Sequence, residues 1–158
     1  MSNKLAMPSD LFIQIQEDMK SAMRAKSTEL LGTIRLLLAA IKQREVDQRI
    51  VLDDGQIIAI LDKMIKQRLD SIEQYQKGNR QDLADKETAE IVILKKYLPQ
   101  TLTENEVSDL IKEAITITGA TSIKEMAKVM AHIKTQAQGR ADIGKISATV
   151  KSILEKQA

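Results

Sequence analysis

The chain has 158 residues, 43% of them hydrophobic and 29% charged, with 24 Lys and Arg against 22 Asp and Glu. That balance describes one folded domain or two small ones rather than a disordered chain, and a net charge of +2 leaves any nucleic-acid signal local. With no cysteine and a single histidine, disulfide frameworks, thiolate zinc sites and cysteine nucleophiles are excluded, and neither a metal nor another cofactor is expected.

Three aromatic residues, two prolines and six glycines are too few for a sheet protein, whereas abundant Leu, Ile, Ala, Lys, Gln and Glu favour helices. The predicted fold class is all-α. No apolar run reaches the ~20 residues of a membrane span. Met1–Met7 lacks the apolar stretch of a secretory signal, so a cytoplasmic protein with no membrane partner is expected.

In chain order, Leu11, Ile15, Met19, Ala22 and Met23 form the first helical stripe, with Ser9 or Asp10 as its N-cap. The second stripe, Leu30, Leu31, Ile34, Leu37, Leu38 and Ile41, starts near Ser27 and is predicted to run to about Val51. Asp53 and Gln56 have the spacing of a reciprocal cap for a third helix carrying Ile57, Ile58, Leu61, Met64, Ile65, Leu69 and Ile72. That helix is predicted to end at Gly78 in a positive-φ conformation, with Asn79 capping a fourth that carries Leu83, Ala84, Ile91 and Leu94 and stops at Pro99.

Beyond Pro99 the helices are shorter. Thr103 with Glu106 and Ser122 with Glu125 read as capping boxes, Gly119 as a helix end, and Ile146, Val150, Ile153 and Leu154 as a last helix. The expected organisation is a four-helix bundle-like domain over 1–99 followed by a three-helix domain over 100–158.

Charge is uneven after residue 120. From 124 to 151, Lys124, Lys128, Lys134, Arg140, Lys145 and Lys151 face only Glu125 and Asp142. The stripe Met126, Met130, Ile133 and Ala137 leaves Lys124, Lys128 and His132 on the opposite side. Gly139 and Gly144 bracket Arg140-Ala141-Asp142-Ile143 just before a helix start, where free amides can receive an anion. Phosphate contact is one reading of this basic segment; a solvated face with Asp142 capping the last helix is the plainer one.

Catalytic patterns are missing. His132 has no partner at ligand spacing, and no Gly-x-Ser-x-Gly elbow occurs. Glu45, Asp62, Glu87 and Glu90 lack the Glu-x-x-His pairs of dimetal bundles and are read as surface ion pairs with Arg35, Arg44, Lys63 and Arg68. No catalytic residue is assigned.

Five stretches in register carry a resemblance: Thr33-Ile34-Arg35-Leu36-Leu37-Leu38-Ala39-Ala40-Ile41-Lys42-Gln43-Arg44-Glu45, Arg80-Gln81-Asp82-Leu83-Ala84, Tyr97-Leu98-Pro99, Met126-Ala127-Lys128-Val129-Met130 and Gly139-Arg140-Ala141-Asp142. Together, from about Leu11 to Leu154, they resemble the stand-alone YqeY-like proteins, with Ala127 standing where that family has glycine. The family's C-terminal part is similar to the tail domain of the B subunit of the aminoacyl-tRNA amidotransferase, a carbon–nitrogen ligase that uses glutamine as amido donor. The resemblance implies that residues 100–158 are a tRNA-binding module, with Lys124, Lys128, Arg140, Lys145 and Lys151 as phosphate contacts and Gly139 and Gly144 permitting the approach. It implies no complete active site, because neither the catalytic cradle nor the Ser-Ser-Lys machinery has a counterpart. The expected partner is tRNA. The alternative is a helical adaptor docking onto an amidotransferase or an aminoacyl-tRNA synthetase.

Overall fold

Ser9 opens the first helix: in the computed structural model, which describes residues 8–157, its hydroxyl oxygen accepts the Phe12 amide at 3.0 Å. Met1–Met7, on which the reading about a signal segment rests, lie outside the described residues. Seven α-helices follow, and among the described residues there is no strand: α1 Asp10–Arg24, α2 Thr28–Gln48, α3 Asp54–Lys77, α4 Gln81–Lys95, α5 Glu104–Thr118, α6 Met126–Ala137 and α7 Ile143–Gln157. A 3-10 turn, Ile123–Glu125, precedes α6. The protein is all-α. Packing divides it into two compact units, Met1–Leu98 and Pro99–Ala158.

In the first unit, α1 packs on α2 and α3 on α4. Ile15, Ile34, Leu37, Ile41, Ile57, Leu61 and Leu94 are fully buried, one apolar line from each helix. Three polar ties cross between helices, the first from the Leu11 amide of α1 to Asp54 Oδ1 of α3 at 3.3 Å. The Tyr97 hydroxyl donates to Asp18 Oδ2 at 2.7 Å, joining the chain just after α4 to α1. On α3, Arg68 Nε meets Glu90 Oε2 of α4 at 2.8 Å and Glu87 Oε2 at 3.9 Å, while its Nη1 donates to the Met64 carbonyl at 3.1 Å.

Burial, with the Asp18 carboxylate beside it, pushes the Tyr97 phenol well above its ordinary pKa. A phenol that ionises near pH 10 when unfolded but stays protonated when folded contributes stability that is complete below ~10 and lost above it. Tyr97→Phe should therefore cost about 1–2 kcal/mol at neutral pH, from the lost bond to a charged acceptor. It should also flatten the alkaline fall in stability. Urea titrations of both proteins at neutral and alkaline pH check this, and parallel pH profiles would contradict it.

Several helix ends differ from expectation. Helix α2 stops at Gln48 rather than Val51, because Arg49 takes a left-handed conformation at φ 55°. Glu45 holds this reversal: its carbonyl accepts the Arg49 and Ile50 amides, and its carboxylate accepts the Leu52 amide at 3.0 Å. After α3 it is Asn79, not Gly78, that takes the positive φ, at 58° against −88° for Gly78. Asparagine tolerates that region better than most residues. The α4 N-cap is consequently Arg80, with no side-chain cap. Both Asp53–Gln56 and Thr103–Glu106 form complete capping boxes, and Gly119 closes α5 at φ 65°. Ser122 makes no capping bond, and the 3-10 turn stands in its place. Met23 and Leu69, expected in the core, are exposed. Of the cations expected to pair with helix carboxylates, only Arg68 does so; Arg35, Arg44 and Lys63 have no carboxylate within 4.0 Å among the described residues.

The second unit is a three-helix assembly around Leu110, Ile111, Ala114, Val129, Ile133, Ala137, Val150 and Leu154. Helix α6 packs on α5 and on α7, whereas α5 and α7 touch less, which leaves a groove between them.

Candidate nucleic-acid interface

The basic segment begins on the 3-10 turn. Lys124 belongs to that turn and Lys128 to α6, so the two are not one helical repeat apart on a continuous helix as their spacing suggested. Both are exposed. Val129, Met130, Ile133 and Ala137 turn inward, and Lys128 lies on the outer side of α6. His132 is half-buried; its Nε2 lies 3.4 Å from Gln136 Nε2, and its carbonyl accepts the Thr135 hydroxyl at 2.7 Å.

Gly139, at φ 76°, makes the turn that follows α6, a conformation that costs an L side chain strain. The Arg140 and Ala141 amides both return to the Ala137 carbonyl. Arg140 then clasps the start of the unit: its Nε donates to the Gln100 carbonyl at 2.9 Å, and its own carbonyl accepts the Leu102 amide at 2.8 Å. The guanidinium borders a cleft of about 260 Å³ lined by Glu106, Asp109 and Glu113, which sit at i, i+3 and i+7 along one side of α5. Arg140 Nε is therefore engaged in a structural bond, and the guanidinium borders a cleft lined by carboxylates, none of them within 4.0 Å among the described residues.

The start of α7 is also occupied. Asp142 Oδ1 accepts the Lys145 amide at 3.2 Å, the geometry of an N-cap to the third helical residue. A Cβ on Gly144 would come within 3.2 Å of the same oxygen, so glycine there leaves room for the cap. A carboxylate thus stands where the sequence suggested that free amides would meet an anion.

Lys145 is exposed on the wall of the α5–α7 groove, a depression of about 470 Å³ floored by Val107, Ile111, Ile146 and Ile153, with Lys112 on the facing helix. Lys151, six residues on, is ~120° round the helix from Lys145, on the flank turned away from that groove. The structure therefore keeps Gly139, Arg140, Gly144 and Lys145 around one turn, separates Lys145 from Lys151, and holds Lys124 and Lys128 at the head of α6. None of Lys124, Lys128, Lys145 and Lys151 has a carboxylate within 4.0 Å among the described residues. Lys112 was not singled out from sequence. Its signal was its place on α5 about a quarter turn round the helix from the row Glu106, Asp109 and Glu113.

Such an arrangement offers exposed point charges to an anionic partner. Among the described residues no group of three or more His, Asp or Glu side chains is placed to hold a metal ion, and no helix is long and apolar enough to cross a membrane.

The family model described as "Yqey-like protein" matches residues 13–154. The chain is 34% identical to "Altered inheritance of mitochondria protein 41, mitochondrial" of Lachancea thermotolerans, over 89% of this chain and 79% of that protein. It is 32% identical to the protein of the same name from Pyrenophora tritici-repentis, over 81% of this chain and 71% of that one. With the Vanderwaltozyma polyspora protein of that name, identity rises to 40%, over 57% of this chain and 49% of that protein.

Proposed function

The chain belongs to the YqeY-like family, and on that premise we propose that it is a tRNA-binding accessory module, related to the glutamine-dependent tRNA amidotransferases but without a complete active site of its own. The observation that carries this reading is the set of exposed lysines at 124, 128, 145 and 151, each with no carboxylate within 4.0 Å among the described residues. Unpaired surface cations are the groups that neutralise phosphates and dominate nucleic-acid affinity. With two tyrosines and one phenylalanine in the chain, recognition is of folded RNA shape and backbone rather than of bases stacked on aromatic rings. Arg140 acts in this account as the residue that fixes the turn between α6 and α7, and Lys145 as a contact on a different flank from Lys151. The cytoplasmic location is part of the proposal; the fungal relatives are named as mitochondrial proteins, and that compartment is theirs.

The test is charge reversal of Lys124, Lys128 and Lys151 together, read by retention of bulk tRNA on the full chain at low salt. Retention is expected to fall by about a hundredfold, since each reversal replaces an attraction by a repulsion. Undiminished retention by the folded variant would refute the assignment.

The second reading, an adaptor that docks onto an amidotransferase or an aminoacyl-tRNA synthetase, is favoured by one feature: apolar side chains left exposed on the N-terminal unit, Leu36 and Val46 of α2 among them. Co-purification that survives nuclease and high salt would favour it over the RNA reading.

A further inference from the structure

Helix α2 carries apolar side chains on two sides. Thr33, Ile34, Leu37 and Ile41 are buried in the bundle. On the other side Gly32, Leu36, Ala39, Gln43 and Val46 recur in alternating steps of four and three residues, which keeps them on one line of the helix for ~21 Å. All five are exposed, Leu36 by 50% and Val46 by 64%. Nothing lies within 4 Å of where a Gly32 Cβ would be, so another backbone has room to approach there. Just past the helix end Ile50 and Val51 are exposed too.

The flanks of this line are unequal. Arg35 and Lys42, seven residues apart, run along one flank, with Arg49 seven further at the left-handed cap. None of the three has a carboxylate within 4.0 Å among the described residues. Along the other flank stand Ala40 and Asp47, and Asp47 already accepts the Gln43 amide at 2.9 Å. A second copy of this chain fits poorly: packed antiparallel it sets the basic row against itself, and packed parallel it matches Lys42 to Asp47 but leaves Arg35 facing Ala40. We propose that the outward face of α2 docks an amphipathic helix of another protein, one with an apolar line in the same alternating repeat and a row of Glu or Asp beside it. Apolar contact supplies the seat, and the Arg35–Lys42–Arg49 row selects the acidic flank and its orientation. This surface lies on the first unit and stands apart from the RNA reading of the second.

Two labelled synthetic helices of about 28 residues, long enough to be helical alone, test it on the full chain. Both carry leucine along the apolar line, one with Glu on its flanks and the other with Lys. Fluorescence anisotropy should show saturable binding of the Glu peptide and at least about tenfold weaker binding of the Lys peptide. Leu36→Asp with Val46→Asp should abolish binding while circular dichroism stays unchanged. Arg35→Glu with Lys42→Glu should invert the preference while leaving tRNA retention as in the wild type. Equal binding of the two peptides, no binding of the Glu peptide, or loss of tRNA retention in the Arg35/Lys42 variant would each overturn the proposal. So would sedimentation showing a dimer of the wild type that Leu36→Asp with Val46→Asp dissolves, because the occupant would then be a second copy.

Discussion

Replacing Arg68 with alanine is expected to destabilise the N-terminal unit by about 3 kcal/mol, the scale for removing one partner of a largely buried ion group. The Arg68 side chain is 12% exposed, and those of its partners Glu90 and Glu87 are 16% and 23% exposed. Water therefore compensates little when the guanidinium goes. Two carboxylates of α4 would be left facing the α3 backbone, and the Met64 carbonyl would lose its donor. Arg68→Met combined with Glu87→Gln and Glu90→Leu should recover most of the loss, because an apolar contact of similar volume carries no desolvation cost. Tyr75 and Tyr97 are the only tyrosines and the chain has no tryptophan, so urea unfolding followed by tyrosine emission reports this unit alone. A cost below about 1 kcal/mol would mean that the group behaves as a solvated surface pair.

The second large effect is expected from Ile133→Ala. Ile133 is fully buried at the middle of α6, between α5 and α7. Truncating such a residue costs about 2–5 kcal/mol through lost transfer energy and the cavity left behind. A unit of about 60 residues buries too little surface to absorb that. The variant should lose the helicity of α5–α7 and its tRNA retention together, while tyrosine emission from the first unit stays native. Retention that survives this loss of helicity would place RNA binding elsewhere in the chain.

What was legible in the sequence was chemistry that closes within a few residues. The boxes Asp53–Gln56 and Thr103–Glu106 and the left-handed Gly119 need only their own turn, and most of the inward stripes of α1–α4, α6 and α7 follow from apolar periodicity, Met23 and Leu69 excepted. The features that escaped depend on partners far along the chain or on a choice between neighbours. The Tyr97–Asp18 bond spans 79 residues, and Arg140 reaches Gln100 across 40. Nothing local in Arg140 announces that its Nε serves a backbone carbonyl. At Arg49 the left-handed turn depends on Glu45 accepting three amides, and at 78–79 two residues able to take positive φ stood side by side. The basic segment was visible as composition. Its division between the two flanks of α7 is a matter of helix phase and packing, which a count of lysines does not contain. The outward line of α2 lay in plain view, but periodicity assigns the helix one buried face and says nothing of a second.

The proposal that the exposed lysines of the second unit contact phosphates, from more than one flank, is tested most directly by the salt dependence of tRNA binding to the full chain. Three to four neutralised phosphates predict that log K falls linearly with log salt with a slope of about −3, made shallower by roughly one for each of Lys124, Lys128 and Lys151 changed to glutamine. An affinity that stays flat with salt, or a slope that the glutamine variants leave unchanged, would contradict it.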